Sequence, residues 1–164
     1  MKKRWISLLV ENDIGVLARI SGLFSGKSYN LNSLTVGRTE DDTVSRMTIG
    51  LTSDDKTFEQ VKKQLNRSVE VIKVIDFTDV PIHLKELMFI KVANCTAQDM
   101  TELFRLSQVY GFRVIDYSPS GALVESVREE TKNDELASIF AGIFVNRIQI
   151  VRGGSVGVEA VSRK

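Results

Sequence analysis

The sequence is short of several things at once: it has one cysteine, one histidine, one tryptophan, two prolines and no surplus of charge of either sign. Each shortage closes a class of function. Cys95 has no partner for an internal disulfide, so the chain is expected in a reducing cytoplasm. Placed at the end of an apolar strand, it reads as a small buried side chain. His83 has no Cys, Asp or Glu cluster at ligand spacing around it, which argues against a metal centre or a histidine base. Lys and Arg number 22 against 21 Asp and Glu, a formal charge of +1, so nothing pulls the chain toward nucleic acid or an anionic membrane. No apolar run is long enough to span a bilayer. The basic Met1–Arg4 is followed by only Trp5–Val10 before Glu11-Asn12-Asp13, too brief an apolar core for a secretory signal. Gly22-Leu23-Phe24-Ser25-Gly26 lacks the further glycine, lysine and hydroxyl of a phosphate loop. With no positioned acid, base, nucleophile or metal, the chain is expected to be non-catalytic and to carry no cofactor.

What is present is a repeated order of elements. Ile6, Leu8 and Val10 alternate in a first strand, Lys3–Glu11. Leu17, Ile20 and Phe24 then recur at helical spacing, with Gly26 placed to end the helix in the left-handed region. Asn30–Gly37 reads as a second strand with Leu34 and Val36 on one face. The polar turn Glu40-Asp41-Asp42 leads to a third strand carrying Met47, Ile49 and Leu51. Ser53-Asp54-Asp55 is suited to capping a second helix, whose Phe58, Val61 and Leu65 face a core. Val69, Val71, Ile75 and Phe77 make a fourth strand.

After Pro81, in the polar connector Thr78–Lys85, the order starts again. Leu87–Ala93 is a strand and Gln98–Tyr110 a helix with Met100, Leu103, Phe104 and Leu106. Phe112–Tyr117 and Ala122–Val127 pair through Ser118-Pro119-Ser120-Gly121, a turn cluster. Leu136, Ile139, Phe140 and Ile143 form the strongest helical stripe, and Arg147–Val151 is the last strand. Gly153–Gly157 and the tail receive no element. The expected fold is α+β, two tandem ferredoxin-like βαββαβ domains over residues 1–78 and 79–164. Each is small enough that its own core is marginal, so association with a partner is expected.

An RNA-binding sheet of this topology needs aromatic side chains on its open face, and Thr43–Ile49 in the third strand has none. The stretch Asn12-Asp13-Ile14-Gly15 suits a different ligand. A helix N-terminus offers free N–H donors and a partial positive charge, which favour a carboxylate, and a glycine leaves the backbone reachable. Gly15 also serves a tight turn, and Asn12-Asp13 also serves as a cap. The apolar Ile14, Val16 and Leu17, together with Asn30-Leu31, point to a small zwitterion with an aliphatic side chain.

Glu11-Asn12-Asp13-Ile14-Gly15-Val16-Leu17 resembles the start of an ACT domain, a regulatory module that binds amino acids. With Gly22–Ser25, Tyr29-Asn30-Leu31, Ser33–Gly37, Ser45–Ile49 and Glu86–Val92, the chain is similar over nearly its whole length to the small regulatory subunits of acetolactate synthase. The resemblance implies valine bound between two ACT domains of a homodimer. One chain would supply Asn12, Asp13, Ile14, Gly15, Val16 and Leu17, the other Asn30 and Leu31. It further implies a partner, the large catalytic subunit, which holds thiamine diphosphate, Mg²⁺ and FAD; none of these belongs to this chain. The small subunit would raise the large subunit's activity and make it sensitive to valine, in branched-chain amino acid synthesis. An ACT-type sensor of another amino acid, or an RNA-binding ferredoxin-like protein, is the alternative. Departures from the family pattern occur at Lys27-Ser28, at Asn32 and at Val151-Arg152-Gly153-Gly154, and no binding residue is carried into the second half.

Overall fold

The structure, a computed structural model, describes residues 1–25 and 30–162. Its first six elements are β1 (Lys2–Glu11), α1 (Val16–Ser25), β2 (Asn30–Arg38), β3 (Val44–Ser53), α2 (Asp55–Leu65) and β4 (Val71–Asp76). Six more repeat the order: β5 (Ile82–Ala93), α3 (Ala97–Tyr110), β6 (Arg113–Ser118), β7 (Gly121–Arg128), α4 (Glu130–Ile143) and β8 (Ile148–Glu159). The two antiparallel sheets have strand orders β2-β3-β1-β4 and β6-β7-β5-β8, so the two ferredoxin-like units expected from the sequence are both present. Residue contacts group Met1–His83 with the C-terminal residues from Ser155, and Leu84–Gly154 by themselves. β8 continues to Glu159, so the glycine-rich stretch left without an element is strand.

In the first unit, alternation along β1 turns Ile6, Leu8 and Val10 onto the core face, where Met47, Ile49 and Leu51 of β3 join them. α1 lays Val16, Ile20 and Phe24 on this layer, and α2 adds Phe58, Val61 and Leu65. Asp54 caps α2 by accepting the Thr57 N–H at 2.7 Å, so of the three capping candidates it is the one used. Residues four apart share a helix face, and in α1 the buried set begins at Val16; Leu17, one step of about 100° further round, is 43% exposed. Val69 likewise lies outside β4 and is exposed, because the chain turns at Ser68, whose carbonyl takes the Val71 N–H. The stop expected at Gly26 lies outside the described residues. On the opposite face of the sheet the Trp5 ring packs against Gly50: a Cβ there would stand 2.5 Å from Trp5 Cζ3, so only glycine fits.

The second unit packs α3 and α4 on Met88, Ile90, Val92, Ala122 and Val124. Thr96 and Asp99 form a reciprocal capping box at the start of α3, and Gly111, at φ 64°, ends that helix. Leu103 is buried, but Phe104 is half-exposed. In α4 the buried stripe runs Asn133, Leu136, Phe140 and Phe144, not on to Ile143, which faces solvent. Phe140 meets Phe112 edge-on at 5.3 Å between centroids. Asn133 is fully buried because it is fully used. It accepts from Ser126 Oγ at 2.8 Å and donates to Glu86 Oε2 at 3.0 Å, and Arg152 closes on that carboxylate through Nε (3.0 Å) and Nη2 (2.7 Å).

Candidate functional site

The turn from β1 into α1 is built by the Asn12-Asp13 pair. Asn12 closes the sheet end: its N–H donates to Thr43 O at 2.7 Å, its Nδ2 to Asp42 O at 2.8 Å, and its Oδ1 accepts from Ser45 Oγ at 3.1 Å. Both ends of the amide are thus engaged in holding the β2–β3 hairpin against β1. Asp13 Oδ1 takes the Ile14 N–H at 2.7 Å and its carbonyl takes the Val16 N–H at 3.4 Å. The first regular helical bond runs from Arg19 N–H to Gly15 O, 3.0 Å.

Gly15 itself sits at φ +82°, the left-handed region in which glycine is favoured, so the turn alone accounts for its identity. The same geometry serves a second purpose. Among the described residues, the N–H groups of Gly15, Leu17 and Ala18 donate to no protein acceptor, as the first turn of a helix dictates. Ile14 is 93% exposed beside them and Leu17 is half-exposed. Val16 differs from the expectation: its side chain is in the core, so only its backbone belongs to the turn.

One residue was missed in the sequence. Arg19, one helical turn on, folds back so that its Nη1 lies 3.3 Å from where a Gly15 Cβ would be, while its Nε pairs with Glu70 Oε1 at 2.5 Å. Its side chain is about half exposed, so a guanidinium open to solvent stands beside Gly15. The spacing Gly15-x-x-x-Arg19 was the available signal, since residues four apart on a helix are neighbours. A donor-rich turn with a cation beside it and two exposed aliphatic side chains matches a carboxylate joined to an aliphatic group.

Asn30 and Leu31 are not at this turn. The register pairs Glu11 with Val44 at one end of the sheet, and Lys3 with Thr52 and Thr52 with Asn30 at the other. Eight residues of strand, about 26 Å, separate the two ends. Leu31 is partly buried against the core. Within one chain the two halves of the expected site do not meet.

The remaining candidates behave as ordinary structure. His83 is exposed in β5. Asp41 accepts from the Thr43 N–H (2.9 Å) and Oγ1 (2.6 Å), which makes the acidic run a hairpin turn. Burial raises the pKa of the Cys95 thiol, leaving it protonated and inert. No group of three His, Cys, Asp or Glu residues able to hold a metal occurs among the described residues. No helix is long and apolar enough to cross a membrane, again among the described residues.

A β1–turn–α1 unit that offers free donors on a four-stranded antiparallel sheet, followed by a second unit of like topology, defines an ACT-type module in tandem with another ferredoxin-like domain. Comparison with known proteins agrees. A family profile described as the AHAS small subunit-like ACT domain matches residues 6–73, and one described as the small subunit of acetolactate synthase matches 85–161. The acetolactate synthase small subunit of Aquifex aeolicus is 36% identical over 97% of this chain and 82% of its own length. The probable acetolactate synthase small subunit of Archaeoglobus fulgidus is 42% identical over 99% of both. The crystal structure of the Thermotoga maritima acetolactate synthase small subunit superposes with a TM-score of 0.87 at 29% identity, over 99% of this chain and 100% of that one. The chain belongs to the acetolactate synthase small-subunit family.

Proposed function

We infer that this chain is a non-catalytic regulatory subunit that binds valine where two of its ACT domains meet, activates a large catalytic subunit and shuts it down when valine accumulates. The observation that carries the reading is the strand register. β2 is the edge of the first sheet, with no strand paired to its outer side among the described residues. Two copies joined antiparallel through β2 set the Asn30 end of one sheet beside the Arg38 end of the other, which is also the Glu11–Gly15 end. The pairing covers an exposed strand edge and brings together the two half-sites that a single chain holds apart. The valine carboxylate is met by the free N–H groups around Gly15 and by Arg19; its side chain lies against Ile14 and Leu17 of one copy and Leu31 of the other.

Thiamine diphosphate, Mg²⁺ and FAD belong to the large subunit on this reading, and the complex works in the cytoplasm. Valine shifts the complex only by its difference in affinity for two arrangements, and the large subunit must alter valine affinity by the same factor. Leucine and isoleucine differ from valine by one methylene, worth about 1–3 kcal/mol in an apolar pocket, so selectivity among the three depends on close packing. RNA binding is disfavoured because Thr48 of β3, on the helix-free face, is buried beneath the chain's own Gly157 backbone. The test is co-expression with the large subunit and an activity assay with and without valine. Activation by the small subunit together with valine inhibition supports the reading; a large subunit indifferent to this chain overturns it.

A further inference from the structure

We propose, resting on the regulatory reading above, that a crest of exposed aliphatic side chains at the turn end of the first sheet is where the large catalytic subunit docks. Ile14 is 93% exposed, Val69 89% and Ile72 56%. Single exposed aliphatic residues are ordinary on a protein surface, whereas three around one turn mark a contact. The Glu70 carbonyl takes the Glu11 N–H at 2.9 Å and its carboxylate pairs with Arg19, which ties the turn carrying Val69 to the start of α1. Ile72 lines a recess with Glu11, Asn12 and Asp13, and Asp13 in turn holds the Ile14 N–H.

Ile72 owes its position to the backbone. Val10 pairs with Val71 and Leu9 with Lys73, so β4 takes two steps where β1 takes one, and Ile72 is the extra residue of a β-bulge. Regular alternation would give every second side chain to the core. Here Val71 and Val74 pack on the core, and both residues between them, Ile72 and Lys73, are exposed. A bulge and an exposed lysine on a six-residue edge strand discourage strand addition, so a partner at this place meets side chains rather than the ladder.

Other surfaces of this unit are occupied. α1 and α2 cover one face of the sheet. On the opposite face the chain's own Ser155 and Gly157 lie over β2 and β3: Ser155 N–H donates to Ser33 Oγ at 2.9 Å, Thr35 Oγ1 to Ser155 O at 3.0 Å, and Gly157 N–H to Thr48 Oγ1 at 3.3 Å. The homodimer described above uses β2, and β4 is the opposite edge, three strand spacings or about 14 Å away. A second copy joined at β2 therefore leaves the crest open.

Charge states what fits it. The recess beside Ile72, about 470 Å³, carries the carboxylates of Glu11, Asp13 and Asp42 next to the aliphatic Ile72 and Val44. The complementary surface is an apolar hollow rimmed by Lys or Arg, whose stems lie along Ile72 and Val44 while their charges meet the carboxylates. A large subunit seated there touches residues adjoining Gly15, so it and valine alter each other's affinity without a relay through the rest of the chain.

The test titrates the full-length chain into the large subunit, following association and activation, with calorimetry of valine on the small subunit alone. Val69→Ser combined with Ile72→Ser should raise the concentration for half-maximal activation roughly a hundred-fold, and each single change roughly ten-fold, as expected for losing one or two buried aliphatic side chains. Valine heat and the mass of the homodimer should stay as in the wild type. Glu11→Gln with Asp42→Asn should slow association at low salt and flatten its salt dependence. Wild-type activation by the double serine variant overturns the crest and spares the regulatory reading. Loss of self-association in that variant, with activation intact, assigns the crest to a contact between copies and also overturns the proposal. A large subunit that the wild-type chain neither binds nor activates overturns the regulatory reading, and the docking surface with it.

Discussion

Replacing Gly15 separates charge from shape at the effector turn. At φ +82° any side chain is strained, but Asp and Asn tolerate the left-handed region better than other residues and are nearly the same size. Gly15→Asp and Gly15→Asn should therefore lose similar stability, about 1 kcal/mol, or a few degrees in melting temperature for a domain of this size. The aspartate should recover part of that loss, because a negative charge at a helix N-terminus stabilises by about 0.3–1 kcal/mol. Binding should go the other way. A carboxylate on residue 15 would stand roughly 4 Å from the ligand's carboxylate, a repulsion of about 4 kcal/mol at an effective dielectric constant near 20. Arg19 Nη1, 3.3 Å from the new Cβ, offsets some of this. If it offsets half, about 2 kcal/mol remains, close to a thirty-fold loss of affinity relative to Gly15→Asn. Calorimetry on the two variants, with Trp5 fluorescence melts to show that both are folded, measures the difference. Equal valine affinities in the Asp and Asn variants, whether tight or weak, would refute a carboxylate bound at this turn.

Two further outcomes follow from the second unit. Arg152→Met removes both bonds to Glu86, whose side chain is 4% exposed, and strands a buried carboxylate; urea unfolding followed by circular dichroism should show about 3 kcal/mol less stability, most of it regained when Glu86→Leu is added. Asp99 is held well below its ordinary 3.8 first by Arg147 and then by the Thr96 N–H, so its folded form is the harder to protonate. Its contribution is complete above pH 3.8 and is lost as pH falls below that value. Asp99→Asn should thus cost stability at pH 7 and flatten the acid limb of the unfolding curve below pH 4; an unchanged acid limb would remove Asp99 from the account.

Much of the fold was legible because it depends on period. Alternation along β1 and β3, and four-residue spacing along α2, needed only a burial preference to become a sheet with a helix on it. The errors share a cause. Leu17, Val69, Phe104 and Ile143 are apolar residues at positions that the periodic templates admit, and their exposure depends on which neighbours arrive, something no window of sequence contains. Asn133 is the converse, a polar residue drawn into the core because Glu86, Ser126 and Arg152 converge on it from other elements.

The candidate site divides in the same way. By itself the sequence determined the turn: Asn12-Asp13 to tie it, a glycine for the left-handed step and a helix starting just beyond, all local chemistry within a few residues. Tertiary structure alone decided that Val16 faces inward, that Arg19 and Glu70 meet beside Gly15, that Asn30 lies at the far end of the sheet, and that Ser155–Gly157 returns to cover β2 and β3. Local conformation follows from bonds between near neighbours, whereas register and long-range pairing arise only when segments distant in the chain compete to bury the same surface.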